Sequence, residues 1–414
     1  MMKRLLSIFV LSCLGLMAFA QDGVDVDSIY VSLFTCSPGN EAYTLFGHTA
    51  IRVKTSEADM DDIAFNYGMF HYNSKNFIYR FVKGETDYEL GAEPVSHFLE
   101  RYQMRGYSVL EQELALTHTE KLQLLRLLRI NYEPRNRIYR YNFLYDNCTT
   151  RARDIIQSAL EADGKQLQFN PHPLSETVTF RDVLHQFTAA APWTGFGIDM
   201  VLGSEVDRPL SRHMRMFIPS IYSDECKQAV VLGDTINRSS LVRSERLWEP
   251  MIPMAAAPDF PLSPQVTMYL VLALVFVLTV VDMRRRRLSL WIDVLLLLLQ
   301  GAAGCIIAFL YFFSEHPAVG TNWLVVAFNP LAWLLLIDIA CRVKGGVKEE
   351  VKRGVKTGVK GGVKVGGLLE AANLTVLVFT LLLFCLPLQW LHPALLPVVL
   401  TLLLRSLVRL KINI

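Results

Sequence analysis

The chain has 414 residues, 52% of them hydrophobic, and 41 Lys plus Arg against 39 Asp plus Glu give a formal net charge of +2. That length allows two ordinary domains, and the apolar fraction is too high for a wholly soluble protein of this size. The near-neutral charge points to no partner by itself, because the informative charge sits in short clusters, and no nucleic-acid partner is expected.

Residues 1–20 read as an export signal. Lys3 and Arg4 open it, an apolar stretch runs from Leu5 to Leu16, and Ala18-Phe19-Ala20 has the small-x-small cleavage pattern. Ser12-Cys13 offers a lipoprotein-signal alternative, but the apolar run continues past Cys13; a retained anchor is a second alternative. Residues 21–247 are mixed globular sequence, expected to be a periplasmic domain with α+β architecture and a small antiparallel sheet. Strands are expected at 29–34, 45–53 and 63–69, with a turn at 37–40 and a hairpin through 55–62. Thr117 and Glu120 form a capping box opening a leucine-rich helix to about residue 131. Asp146 or Asn147 caps a second helix over 149–162, stopped by Gly164. Shorter helices are expected at 180–190 and 223–232.

Residues 248–264 form a proline-rich linker, either extended or holding the domain against a bilayer. An all-α membrane region fills 265–414. Five candidate spans lie at 265–281, 290–313, 323–341, 374–391 and 394–410, the last interrupted by Arg405 and open to an interfacial reading. With residues 21–263 outside, every basic cluster falls on the inner side: Arg284 to Arg287, the region 342–364, and Arg405, Arg409 and Lys411. The C-terminus is then cytoplasmic. The Val-Lys repeat at 343–364 reads as a basic low-complexity loop, or as a segment lying on anionic lipid. Asp293 or Asp338 is expected to pair with Arg405 inside the bundle.

Three cysteines, Cys36, Cys148 and Cys226, fall in the exported part. An odd number leaves at least one free thiol. A Cys36–Cys226 bridge would leave Cys148 reactive, and three separate buried thiols are the alternative. Cys148 stands at a helix N-terminus, where unsatisfied N–H groups and the helix dipole favour a thiolate. Thiol acyl chemistry also needs an imidazole and a group to orient it. His48, at a strand start, is the leading partner, and Asn66 on the next strand is the orienting candidate. Against this stands the bland reading of Cys148 as a buried structural thiol. Arg151 after Cys148 suits a phosphate headgroup or a solvated helix face. No HExxH, CxxC, GxGxxG or Walker pattern occurs, so metal, dinucleotide and ATP chemistry have no motif support, and no cofactor is expected.

Three strings carry a resemblance: Leu45-Phe46-Gly47-His48-Thr49-Ala50-Ile51-Arg52, then Phe65-Asn66-Tyr67-Gly68-x-Phe70, then Tyr141-Asn142 followed by Asp146-Asn147-Cys148-Thr149-Thr150-Arg151. Together they resemble the Lnb N-terminal periplasmic domain over roughly 25–245, and the multi-span region matches that family's layout. The His-before-Cys order also resembles circularly permuted papain-like (NlpC/P60-like) thiol enzymes. The resemblance implies an inner-membrane lipoprotein N-acyltransferase. Membrane phospholipid would be its acyl donor and diacylated lipoproteins its acceptors. Cys148, His48 and Asn66 are then the catalytic candidates, with Arg151, Asn142 and Tyr67 as substrate-binding candidates. A periplasmic cell-wall amidase or peptidase, and a non-catalytic sensor or scaffold, are the rival readings.

Overall fold

A computed structural model describes residues 29–41, 43–55, 61–70, 75–169, 177–233, 238–255, 260–351 and 362–412. The expected signal segment and much of the Val-Lys repeat lie outside the described residues.

The first half is mixed α and β. In chain order it runs β1 (Tyr30–Cys36), β2 (His48–Lys54), β3 (Asp62–Met69), α1 (Phe77–Lys83), β4 (Asp87–Pro94), α2 (Val95–Gln103), β5 (Val109–Leu114), α3 (His118–Tyr132), β6 (Ile138–Arg140) and α4 (Cys148–Glu161). It continues through β7 (Gln166–Gln168), α5 (Phe180–Thr188), α6 (Pro192–Val201), α7 (Arg212–Arg215), α8 (Pro219–Gln228), β8 (Val230–Leu232), β9 (Arg238–Ser240) and β10 (Val242–Trp248). One antiparallel sheet has the order β10-β5-β1-β2-β3-β4-β6, and β7-β8-β9 form a second. The main sheet is therefore larger than expected, because segments at 87–94, 109–114, 138–140 and 242–248 join it. The expected β2–β3 hairpin is present, with Lys54 opposite Asp62.

Alternation along the strands separates two faces. Val31, Leu33, Ile51, Val53, Phe65 and Tyr67 pack with Leu124, Leu128, Ile155 and Ile156 of α3 and α4. Phe34, Cys36, Ala50 and Ala64 pack instead with Val95, Phe98 and Leu99 of α2. Each large side chain buried this way contributes on the order of 1.5–3 kcal/mol. Cys36 and Cys226 belong to these two different clusters, and both are free thiols. The sheet thus separates the pair, and of the two arrangements open from sequence the structure has three separate buried thiols and no Cys36–Cys226 bridge.

The segment expected as one helix over 223–232 divides. Pro219 at its first turn starts α8 early, and the β-branched Val230 and Val231 enter β8 instead. Residues beyond β10 run along the domain rather than away from it. Met251 N–H donates to the Gln103 carbonyl at 3.0 Å, and Trp193 Nε1 donates to that of Leu262 at 2.9 Å.

The second half is helical: α9 (Pro264–Arg285), α10 (Leu290–Phe313), α11 (Leu324–Ala327), α12 (Ala332–Val351), α13 (Gly362–Leu383) and α14 (Leu395–Ile412). Among the described residues, four helical segments are long and apolar enough to cross a membrane: 264–285, 290–313, 324–341 and 366–383. The segment at 394–410 does fold as a helix, but Arg405, Arg409 and Lys411 remove it from that set. The third span is broken at Asn329-Pro330, and Gly304 of α10 makes room for the break, since a Cβ there would lie 2.5 Å from the Asn329 carbonyl carbon. Arg405 is fully buried, 2.6 Å from Asp293 and 2.8 Å from Asp282, so the expected partner is one of two.

Candidate active site

Cys148 is the first residue of α4, and its placement follows from Asn147. The Asn147 side-chain oxygen accepts the N–H groups of Thr149 and Thr150 at 2.8 and 2.9 Å. Its amide donates to the carbonyls of Phe143 and Phe217 at 2.7 and 2.8 Å. One buried side chain therefore starts the helix and ties it to two other segments. Of the two cap candidates read from sequence, Asn147 is the one used.

His48 is the first residue of β2, opposite Cys36 of β1. Gly47 before it has φ +76, and a Cβ there would lie 2.5 Å from the Cys36 carbonyl oxygen. Only glycine turns the chain this tightly into the strand. His48 Nε2 lies 3.1 Å from Asn66 Oδ1, and Asn66 Nδ2 donates to Glu93 Oε1 at 2.7 Å. Arg101 holds Glu93 through two contacts, of 2.6 and 2.8 Å. A carboxylate paired with arginine only accepts, so the Asn66 amide turns its NH2 to Glu93 and its oxygen to His48. His48 Nε2 then carries the hydrogen, which leaves Nδ1 for the sulfur.

The electrostatics separate Cys148 from the other thiols of this half. Burial raises Cys36 well above an ordinary thiol and pushes Cys226 up to about 12. Burial acts on Cys148 in the same sense. There it is outweighed by the charge and hydrogen bond of His48, the Thr49 backbone N–H and the Thr149 hydroxyl, so its pKa is lowered. His48 shows the complement. Burial pulls the imidazole down, while Cys148 and Asn66 raise it more, and the net shift is upward. Each group stabilises the other's charged form, which is the arrangement of a thiolate–imidazolium pair. Thr149 Oγ1 lies 3.8 Å from the sulfur and 3.0 Å from Thr49 Oγ1, so α4 and β2 are joined beside the thiol.

The structure thus brings Cys148, His48 and Asn66 together. The three residues expected to bind substrate have their polar groups engaged within the chain. Arg151 holds Asp146 at 2.6 and 2.8 Å and lies 3.5 Å over the Tyr139 ring. Asn142 accepts the N–H groups of Leu144 and Tyr145 and exchanges two backbone bonds of 2.9 Å with Asp146. Tyr67 accepts from Asn131 at 2.8 Å. Arg151 and Asn142 brace the loop that delivers Cys148, and Tyr67 ties β3 to α3. Sequence reading missed Glu93, Arg101, Thr49 and Thr149. The two threonines directly follow His48 and Cys148, which is a usable signal. Glu93 lies 27 residues from Asn66 with no spacing rule to connect them.

Two flanks beside the site rest on the membrane half. Residues after α10 clasp the end of α1: the Ser314 hydroxyl donates to the Val82 carbonyl at 2.9 Å, and the Glu315 N–H to that of Lys83 at 2.7 Å. On the other flank, Gly203 N–H donates to the Ala318 carbonyl at 2.8 Å, and Asn322 Nδ2 to that of Met200 at 3.0 Å.

Comparison with known families agrees with this division. The sequence model of the Lnb N-terminal periplasmic domain matches residues 16–186, and that of the Lnb transmembrane domain matches residues 256–349. The chain belongs to the Lnb family. Its Cys148, His48 and Asn66 all lie inside the first match, and the four membrane-length helices begin inside or follow the second. No curated protein and no solved structure matches the chain significantly. Lnb membership and the membrane-length helices together make this a multi-pass inner-membrane protein with a periplasmic domain.

Proposed function

We propose that the chain is a thiol-dependent lipoprotein N-acyltransferase whose nucleophile is Cys148. The observation that carries this reading is Cys148 at the start of α4 beside His48, which Asn66 and Glu93 orient, in a site whose flanks rest on the membrane-spanning half. The Cys148 thiolate attacks the carbonyl of a phospholipid acyl ester. A C–S bond forms, the C–O bond breaks, and His48 returns a proton to the leaving lysolipid alkoxide. The α-amine of a diacylglyceryl-cysteine lipoprotein then attacks the thioester. The C–N bond forms, the C–S bond breaks, and His48 takes the amine proton. Asn66 orients the imidazole, and Arg151 and Asn142 hold the loop that carries the nucleophile. In this reading the domain stands outside the membrane and the C-terminus inside, with the basic clusters on the cytoplasmic face.

Lipoprotein N-termini read by mass spectrometry test the proposal. Cys148→Ser and His48→Ala are expected to remove the amide-linked chain. A thioester adduct on Cys148, lost on hydroxylamine treatment, is expected in the wild type. Unchanged lipoproteins with altered cell-wall fragments would overturn this reading in favour of a hydrolase.

A further inference from the structure

Helix α1 lies where the periplasmic domain meets the bundle. Ile78, Tyr79 and Phe81 are exposed on it, Ile78 to 77%. An apolar face of this kind is costly against water and favourable against lipid. Its surroundings specify which. The Tyr79 ring lies 6.0 Å from that of Phe309 in the membrane-length helix α10, whose Phe312 and Phe313 are also exposed. His316 adds a 2.8 Å contact with the Phe81 carbonyl to the clasp made by Ser314 and Glu315. The exposed face of α1 therefore continues the lipid-facing surface of α10.

From this face a file of rings leads inward. Phe81 and Phe77 lie 6.2 Å apart, Phe77 and Phe70 5.6 Å, Phe70 and Tyr88 5.1 Å, and Tyr88 and Tyr141 4.2 Å. The file leads toward Cys148. A Cβ on Gly68 would lie 3.5 Å from the Tyr141 ring and 3.7 Å from Cys148 Cβ.

Building on the acyl-transfer reading, we propose that α1 is a lipid-seated lip, and that the acyl chain of a donor phospholipid passes along Phe81, Phe77, Phe70 and Tyr88 to reach Cys148. The full chain in nanodiscs of phosphatidylethanolamine and phosphatidylglycerol tests this, with acylation of Cys148 followed by intact mass. Ile78→Glu is expected to slow acylation from the nanodisc lipid by about tenfold, equivalent to roughly 1.4 kcal/mol on the barrier. Acylation by water-soluble p-nitrophenyl butyrate should change less than about twofold, which also reports that the site is folded. Equal slowing with both donors, or with neither, overturns the lip. So does a variant that acylates normally but passes the chain to lipoprotein slowly, because the face would then seat the acceptor. A wild type that no donor acylates refutes the acyl-transfer reading instead.

A separate observation points to a residue at the thiol. Tyr139 is 8% exposed, and among the described residues its hydroxyl has no hydrogen-bond partner. A buried polar group left unpaired is destabilising, so its retention calls for a reason. The hydroxyl oxygen lies 3.9 Å from the same point above Gly68 that borders Cys148, and the Arg151 guanidinium covers the ring face. Burial and the neighbouring Cys148 hold the hydroxyl's pKa above the ordinary tyrosine range, with Arg151 opposing them, so the group stays protonated and able to donate. On the same acyl-transfer reading, we infer that Tyr139 donates to the carbonyl oxygen of the reacting ester, where negative charge develops as the C–S bond forms. Tyr139→Phe removes that oxygen alone. Acylation of Cys148 is expected to fall by about tenfold to a hundredfold with both p-nitrophenyl butyrate and nanodisc lipid. Alkylation by iodoacetamide, which develops no oxyanion, should keep its wild-type rate. Acylation at the wild-type rate, or a parallel fall in alkylation, overturns the assignment.

Discussion

Glu93 accepts the Asn66 amide at 2.7 Å, and this bond decides which atom of Asn66 faces His48. Without the carboxylate, the amide is free to turn over and donate its NH2 to Nε2, which shifts the imidazole hydrogen to Nδ1, the nitrogen facing the sulfur. Glu93→Ala is expected to lower the rate of Cys148 acylation by about tenfold or more, while Glu93→Gln, which keeps an acceptor, recovers part of it. The pH dependence of acylation checks this. A purely structural role for Glu93 would lower the amount of folded protein and leave the shape of the profile unchanged.

The opposed shifts at Cys148 and His48 have a defined sign. The thiol pKa is lowered, so alkylation by iodoacetamide should rise with pH and reach its plateau below the range of an ordinary thiol. The imidazole pKa is raised, so acyl transfer that needs its proton should fall as pH rises through that value. His48→Ala should return the thiol toward ordinary or higher values, because burial then acts without its counterweight. An alkylation profile unmoved by His48→Ala would show that the two groups do not interact.

Gly47→Ala tests how His48 is aimed. A left-handed conformation costs a non-glycine residue about 1–2 kcal/mol, and the added Cβ also meets the Cys36 carbonyl at 2.5 Å. Reduced thermal stability together with slower Cys148 alkylation is expected. Wild-type values of both would show that the turn has other solutions.

The buried charges of the membrane half make a different prediction. Arg405 joins Asp282 at the end of α9 to Asp293 in α10, and Arg409 joins Asp293 to Glu370 of α13. Removing one partner leaves an uncompensated buried charge, worth about 3–5 kcal/mol. Arg405→Leu is expected to reduce folded protein in detergent sharply. Replacing Arg405, Asp282 and Asp293 together by apolar residues should cost less than the single change. Thermal unfolding of the wild type, the single variant and the triple variant reads this directly.

Much of the site was legible because it depends on local rules. Asn147 before an amphipathic run marks a helix start, so Cys148 falls at an N-terminus. His48 and Asn66 sit on adjacent strands of one hairpin, 18 residues apart, and short-range pairing brings them together. Glu93 was not legible, since it reaches Asn66 through the pairing of β3 with β4 across an intervening helix. The size of the sheet was missed for the same reason. β10 joins β5 from more than a hundred residues away, and no local pattern encodes that pairing.

By itself, then, the sequence determined the mixed first half, the run of apolar helices and the grouping of Cys148, His48 and Asn66, all of which are written in periodicity, caps and short spacings. Tertiary structure decided the rest. It placed Cys36 and Cys226 on opposite faces of the sheet, set the His48 imidazole beside Cys148, engaged Arg151 and Asn142 in bracing a loop, and seated α1 against α10. Those outcomes depend on which side chains share a buried space, and long-range packing sets that.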